Sequence, residues 1–161
     1  MEDSVTVPGT LLGLSTGNNV SLEVHLRPCC IIRVPMDFND GGRPIPKRFI
    51  VVGHHSNAAI AIKATSKTEY FSTTTKGVVF CPSGECAAFQ SDTVIDPANC
   101  FAMPHASLER YDERGQLEHL GIFNHLIPLL TVAVDQNLRI EPARRNGLLG
   151  LLRAFNPSTQ H

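Results

Sequence analysis

Along "AIAIKATSK", residues 59 to 67, small apolar residues alternate with others until the segment ends in lysines and hydroxyls. Period-two alternation puts Ile60, Ile62 and Ala64 on one face of an extended strand and Lys63, Thr65 and Lys67 on the other. The first face suits a core and the second suits an anion. Just upstream, the β-branched run "RFIVVGH" (48 to 54) reads as a central strand, and Ser56-Asn57 supplies a turn. The pattern therefore predicts an antiparallel hairpin over residues 48 to 66.

The same reading makes "VSLEVHL" (20 to 26) and "CCIIRVPMDF" (29 to 38) strands, separated from the hairpin by an exposed Gly/Pro loop, "NDGGRPIP" (39 to 46). Beyond the hairpin, "GVVFC" (77 to 81), "CAAFQ" (86 to 90) and "TVIDPANCFAM" (93 to 103) continue a series of short strands, as in a small barrel or sandwich. The helical signal comes late. In "FNHLIPLLTVAVDQNL" (123 to 138) Leu126, Leu129, Leu130, Val134 and Leu138 recur near a 3.6 period, with Asn124 as expected N-cap and Pro128 near the start. The tail "ARRNGLLGLLRAF" (143 to 155) reads as a short basic-apolar helix weakened by Gly147 and Gly150. It would pack its leucines on its own domain or dock a partner or a membrane surface.

Composition narrows the class. A chain of 161 residues supports one domain with a real core, and 42% hydrophobic with 18% charged residues is ordinary for a soluble globular protein. No apolar run approaches the roughly 20 residues that span a bilayer, and the acidic start "MEDSVTVPGTLLGL" does not resemble an export leader, so a cytoplasmic location is expected. The net charge of −1 gives no global steering toward nucleic acid, so an anion site has to be local. Five cysteines suggest reduced thiols or metal ligands rather than a disulfide framework.

The hairpin brings together types suited to phosphate chemistry. When RNA is cleaved through its own 2′-hydroxyl, charge builds on the equatorial phosphate oxygens, which an arginine fork and a Thr or Ser hydroxyl can stabilise. Arg48 with Thr65 and Ser66 is that combination, and paired strands place the two ends within reach of one phosphate. Arg43 and Lys67 then suit flanking phosphates, and Phe38 or His55 suits stacking on a base. Plainer readings compete: Arg48 pairing with Asp37 or Glu69, and Thr65-Ser66 simply ending a strand. His54 and His55 point apart in a strand, so at most one can face such a site. A separate set, Cys81, Cys86, Cys100 and His105, has types that could hold structural zinc, although the cysteines in apolar runs also read as core.

The order of these segments resembles a known family. "IIRVPMDFNDGGRPIPKRFIVV", "AIAIKATSK", "FQSDTVIDPANCFAM" and "LEHLGIFNHLIPLLTVAVDQNLRI" together look like the MazF/PemK/Kid toxins, endoribonucleases of toxin-antitoxin modules, over residues 28 to 140. The resemblance implies an SH3-like β-barrel with a C-terminal helix, in a small, mainly β, α+β single domain. Residues 1 to 27 would then be an N-terminal extension paired to the sheet, and 141 to 161 a tail. It also implies a homodimer that cleaves single-stranded RNA with no cofactor or metal and is held by an antitoxin protein. The family's Arg-Pro pair is here Arg48-Phe49, and its Pro-(Ile/Val)-(Thr/Ser)-(Ser/Thr) stretch keeps Thr65 and Ser66 but has Lys63 in place of the proline. A non-catalytic RNA- or protein-binding module on the same barrel is the alternative reading.

Overall fold

Strands β2 (Ile45–His55) and β3 (Ala58–Thr65) form the expected antiparallel hairpin, closed at Ser56-Asn57 with Ser56 at φ 55°. The computed structural model describes residues 25–36, 45–72 and 75–154. On one side of the hairpin β2 pairs with β1 (Cys30–Met36), which pairs in turn with β6 (Glu118–Ile122). On the other side β3 pairs with the long β5 (Thr93–Pro104), which carries the short β4 (Val79–Cys81). Every pairing is antiparallel, and the order β4-β5-β3-β2-β1-β6 makes one curled, half-barrel sheet. A 3-10 turn follows β3 at Thr68–Tyr70, and the later described residues include helices α1 (His105–Glu113), α2 (Leu126–Gln136) and α3 (Pro142–Ala154).

The alternation of β2 and β3 serves two cores. Ile50, Val52 and Ile62 join Leu126, Leu130 and Val134 of α2 and Leu148, Leu149 and Leu152 of α3. The alternate residues Phe49, Val51, Ala59 and Ala61 pack with Leu26, Met103, Leu108 and Leu117. The face opposite Ile60, Ile62 and Ala64 is therefore apolar along most of β3 and turns polar only at Lys63 and Thr65, near the strand's end. Gly53 follows a register shift in the β2–β3 ladder, and a Cβ there would lie 2.9 Å from Leu151 Cδ2, so its missing side chain lets α3 approach β2.

Several expectations change. Residues 86 to 90, "CAAFQ", form turns closed by Phe89 N–H donating to the Cys86 carbonyl at 3.1 Å; they are apolar because Cys86, Ala88 and Phe89 plug the core. Ile45 and Pro46 begin β2 instead of belonging to the loop. Asn124 does not cap α2 with its side chain: His125 occupies the cap position in helical conformation, and the Asn124 carbonyl accepts from Ile127. Pro128 sits in the first turn of α2, where its missing N–H costs nothing. The expected tail helix is α3, and it does pack Leu148, Leu149 and Leu152 inward. The strand expected at 20 to 26 and its pairing as an extension lie mostly outside the described residues; His25 and Leu26, which are described, are not in a strand. Among the described residues no helix is long and apolar enough to cross a membrane.

Candidate functional site

The open end of the hairpin, away from the turn, carries the candidate site. Arg48 near the start of β2 and Thr65 at the end of β3 line one cavity of about 310 Å³. Ser66, Lys67, Lys47 and Lys63 line it too, with Gln90, Ser91 and Thr93 closing the far wall. The far wall follows from sheet register: β5 runs antiparallel to β3 with Val94 opposite Thr65, so the residues entering β5 arrive beside the end of β3. Four cationic side chains thus face one cavity, while no carboxylate, histidine or cysteine among the described residues lines it.

Arg48 has lost the partner its position would offer. It stands opposite Arg33 in the β1–β2 ladder, and Glu118 of β6 pairs with Arg33 at 3.1 Å. Arg48 Nε is buried with no hydrogen-bond partner, and no ion pair joins Arg48 to Glu69 among the described residues. Asp37, the other acid that the sequence offers as its partner, lies outside the described residues. A buried guanidinium donor without an acceptor is costly to hold, and a bound anion would relieve that cost. The Thr65 hydroxyl accepts the backbone N–H of Lys67 at 3.1 Å, which fixes its oxygen and leaves its own O–H proton free to donate. Lys63 is held below the ordinary lysine value, chiefly by burial and then by the charges of Lys47 and Lys67.

Of the residues expected from sequence, Arg48, Thr65, Ser66 and Lys67 therefore share one cavity. His55 does not join them. It adjoins the turn, seven residues along β2 from Arg48 or about 20 Å of extended chain, and lines a different, mainly apolar cleft with Ile60, Phe101, Arg144 and Leu151. Arg43 and Phe38 lie outside the described residues. The zinc set does not assemble: among the described residues no group of three or more His, Cys, Asp or Glu could hold a metal ion. His105 Nε2 instead meets His54 Nδ1 at 2.9 Å, and all five cysteines are buried and free. Burial alone pushes the Cys29 thiol to about 12. Lys47, Gln90, Ser91 and Thr93 had no local signal in the sequence; the pairing of β3 with β5, about thirty residues apart, is what recruits the last three.

No family model, curated protein or solved structure matches the chain.

Proposed function

We propose that this protein is an endoribonuclease that cleaves single-stranded RNA through the RNA's own 2′-hydroxyl, on an SH3-like barrel of the MazF/PemK type. The observation that carries the reading is Arg48: a guanidinium with a buried, unpartnered Nε, facing the same cavity as the Thr65 hydroxyl and three lysines. Such an environment favours a phosphodiester whose charge grows in the transition state, since preorganised donors count most where charge develops. Arg48 stabilises the equatorial oxygens, Thr65 and Ser66 add hydroxyl donors, and Lys67 holds a flanking phosphate. By the same resemblance the protein acts as a cytoplasmic homodimer and is neutralised by an antitoxin protein.

Incubating the purified chain with a long single-stranded RNA in EDTA tests the reading. Discrete cuts that leave 2′,3′-cyclic phosphate ends are expected, and intact RNA after prolonged incubation would overturn it. One observation favours a second reading, a non-catalytic RNA-binding module: among the described residues the cavity offers neither histidine nor carboxylate to accept a proton. In that case RNA is bound in a salt-dependent way and recovered uncut.

A further inference from the structure

Cleavage through a 2′-hydroxyl needs a group to take its proton, and histidine or carboxylate most often does so. Among the described residues, those lining the cavity with Arg48 and Thr65 include neither, nor a cysteine or tyrosine. Arginine does not give up its proton in proteins, and neutral hydroxyls and amides are poor bases. Among the described lining residues, elimination leaves the lysines, Lys47, Lys63 and Lys67.

Their placement separates them. Lys67 lies past the end of β3 and is exposed, and Lys47 is near the start of β2. Lys63 is inside β3, half-buried, opposite the fully buried Phe49, and two residues before Thr65 on the same strand face. It therefore shares the cavity with the phosphate-stabilising pair while standing against the apolar core. We propose that Lys63 is the proton acceptor of this site, a catalytic residue standing where the resembled family has a proline.

This inference rests on the endoribonuclease reading. The neutral Lys63 amine takes the proton of the 2′-hydroxyl while the 2′-oxygen bonds to phosphorus. The bond from phosphorus to the 5′-oxygen breaks, and that oxygen takes a proton from water. Lys63 then returns its proton to the hydroxide so formed, so that the net change is transesterification to a 2′,3′-cyclic phosphate and a 5′-hydroxyl with no oxidant or metal consumed. Burial and the charges of Lys47 and Lys67 make the neutral amine accessible nearer neutrality than in an exposed lysine.

The test is single-turnover cleavage of a long single-stranded RNA in EDTA between about pH 6 and 11, alongside RNA binding by fluorescence anisotropy. Wild type should show a rate that climbs with pH and levels off below the ordinary lysine value. Lys63→Arg keeps the charge but cannot titrate, so it should bind RNA like wild type, lose about 10²-fold in rate at pH 8, and lose the climbing limb. Lys63→Ala should regain part of its rate when a small primary amine is added, with the gain following the amine's free-base fraction. A Lys63→Arg protein with wild-type rate and pH profile would overturn the inference and leave the nuclease reading standing. So would a wild-type rate that is flat in pH, a result that needs no variant to fold. Absence of cutting by wild type at every pH would overturn the nuclease reading and this inference with it.

Discussion

Asp96, on β5, is 1% exposed and uses both carboxylate oxygens: Oδ1 accepts from Asn137 Nδ2 and from the Ala98 N–H, each at 3.0 Å, and Oδ2 pairs with Arg139. Asn137 spends its amide further on the Gly77 carbonyl at 2.8 Å, where Gly77 at φ 81° leaves no room for a side chain against the Asn137 backbone. Arg48, on β2 of the same sheet, has a buried Nε with no acceptor and stands among three lysines. The two clusters embody different uses of charge. Around Asp96 both carboxylate oxygens have donors inside the protein, which is how a fold tolerates a buried charge. Around Arg48 the buried Nε has no acceptor among the described residues, and the residue lines a cavity open to a ligand.

Lack of a partner alone does not mark a site. His25 Nε2 and Arg145 Nε are also buried and unpartnered, yet neither residue lines the cavity. What distinguishes Arg48 is the combination: an unsatisfied donor, like charges gathered with no acid among the described lining residues, and a hydroxyl fixed beside them. Like charges brought together repel and destabilise a fold unless something else profits from them.

Cutting each cluster in turn should move a different quantity. Asp96→Ala should cost about 3 kcal/mol of stability, because it leaves the buried Asn137 amide and the Ala98 N–H without their carboxylate acceptor and takes away the ion-pair partner of Arg139. Urea denaturation reads this, and a loss under about 1 kcal/mol would mean that the network is not structural. Activity per folded molecule should stay unchanged.

Arg48→Ala should do the reverse. It removes a buried donor, Nε, that has no acceptor among the described residues, so the urea midpoint should hold or rise, while single-turnover cleavage falls by about 10²-fold, near 2.7 kcal/mol. Arg48→Lys should regain only part of that, since an ammonium keeps the charge but loses the planar fork. An Arg48→Ala protein that cuts at the wild-type rate would remove the distinction between the clusters.

How much of this was legible in the sequence differs between the two clusters as well. The hairpin could be read from alternation and the Ser56-Asn57 turn, and with it the meeting of Arg48 and Thr65, because antiparallel pairing is a local consequence of a short loop. The Asp96 network was invisible, since it joins β5 to the segment after α2 across 41 residues with no motif. Helix α1 escaped too: "HASLERYDE" buries only Leu108 and Asp112, so no apolar stripe announces it. Strand β6, "EHLGI", is short and has no fully buried residue. The misread "CAAFQ" shows the converse, a loop whose apolar residues fill a core without belonging to a strand.

A smaller effect sharpens the reading of the hydroxyl. Thr65→Val keeps the shape and removes one neutral donor, so cleavage should fall by about 10-fold, well short of the arginine's effect. The Lys67 N–H loses its acceptor as well, but it is exposed and water can replace that bond, so stability should move little. Equal losses for Thr65→Val and Arg48→Ala would point to the hydroxyl as a group essential to the chemistry rather than one donor among several.

The smallest effect concerns a half-buried polar group away from both clusters. His119, on β6, is held below the ordinary histidine value of 6.5, first by burial and then by the nearby His25. A depressed histidine means that the unfolded chain binds the proton more readily than the folded one. As pH falls below about 6.5, protons therefore favour unfolding, and the loss continues until the pH passes His119's own lowered value. Urea midpoints measured between about pH 7.5 and 5 should decline in wild type, and His119→Gln, which cannot titrate, should flatten that decline. RNA cleavage by His119→Gln at neutral pH should match wild type, because His119 does not line the cationic cavity. An unchanged pH slope would show that His119 is solvated well enough to take its proton in the folded state, and a loss of cleavage would place it in the chemistry that Arg48 and Thr65 are proposed to perform. The expected pair of results would set burial without a ligand apart from burial beside one.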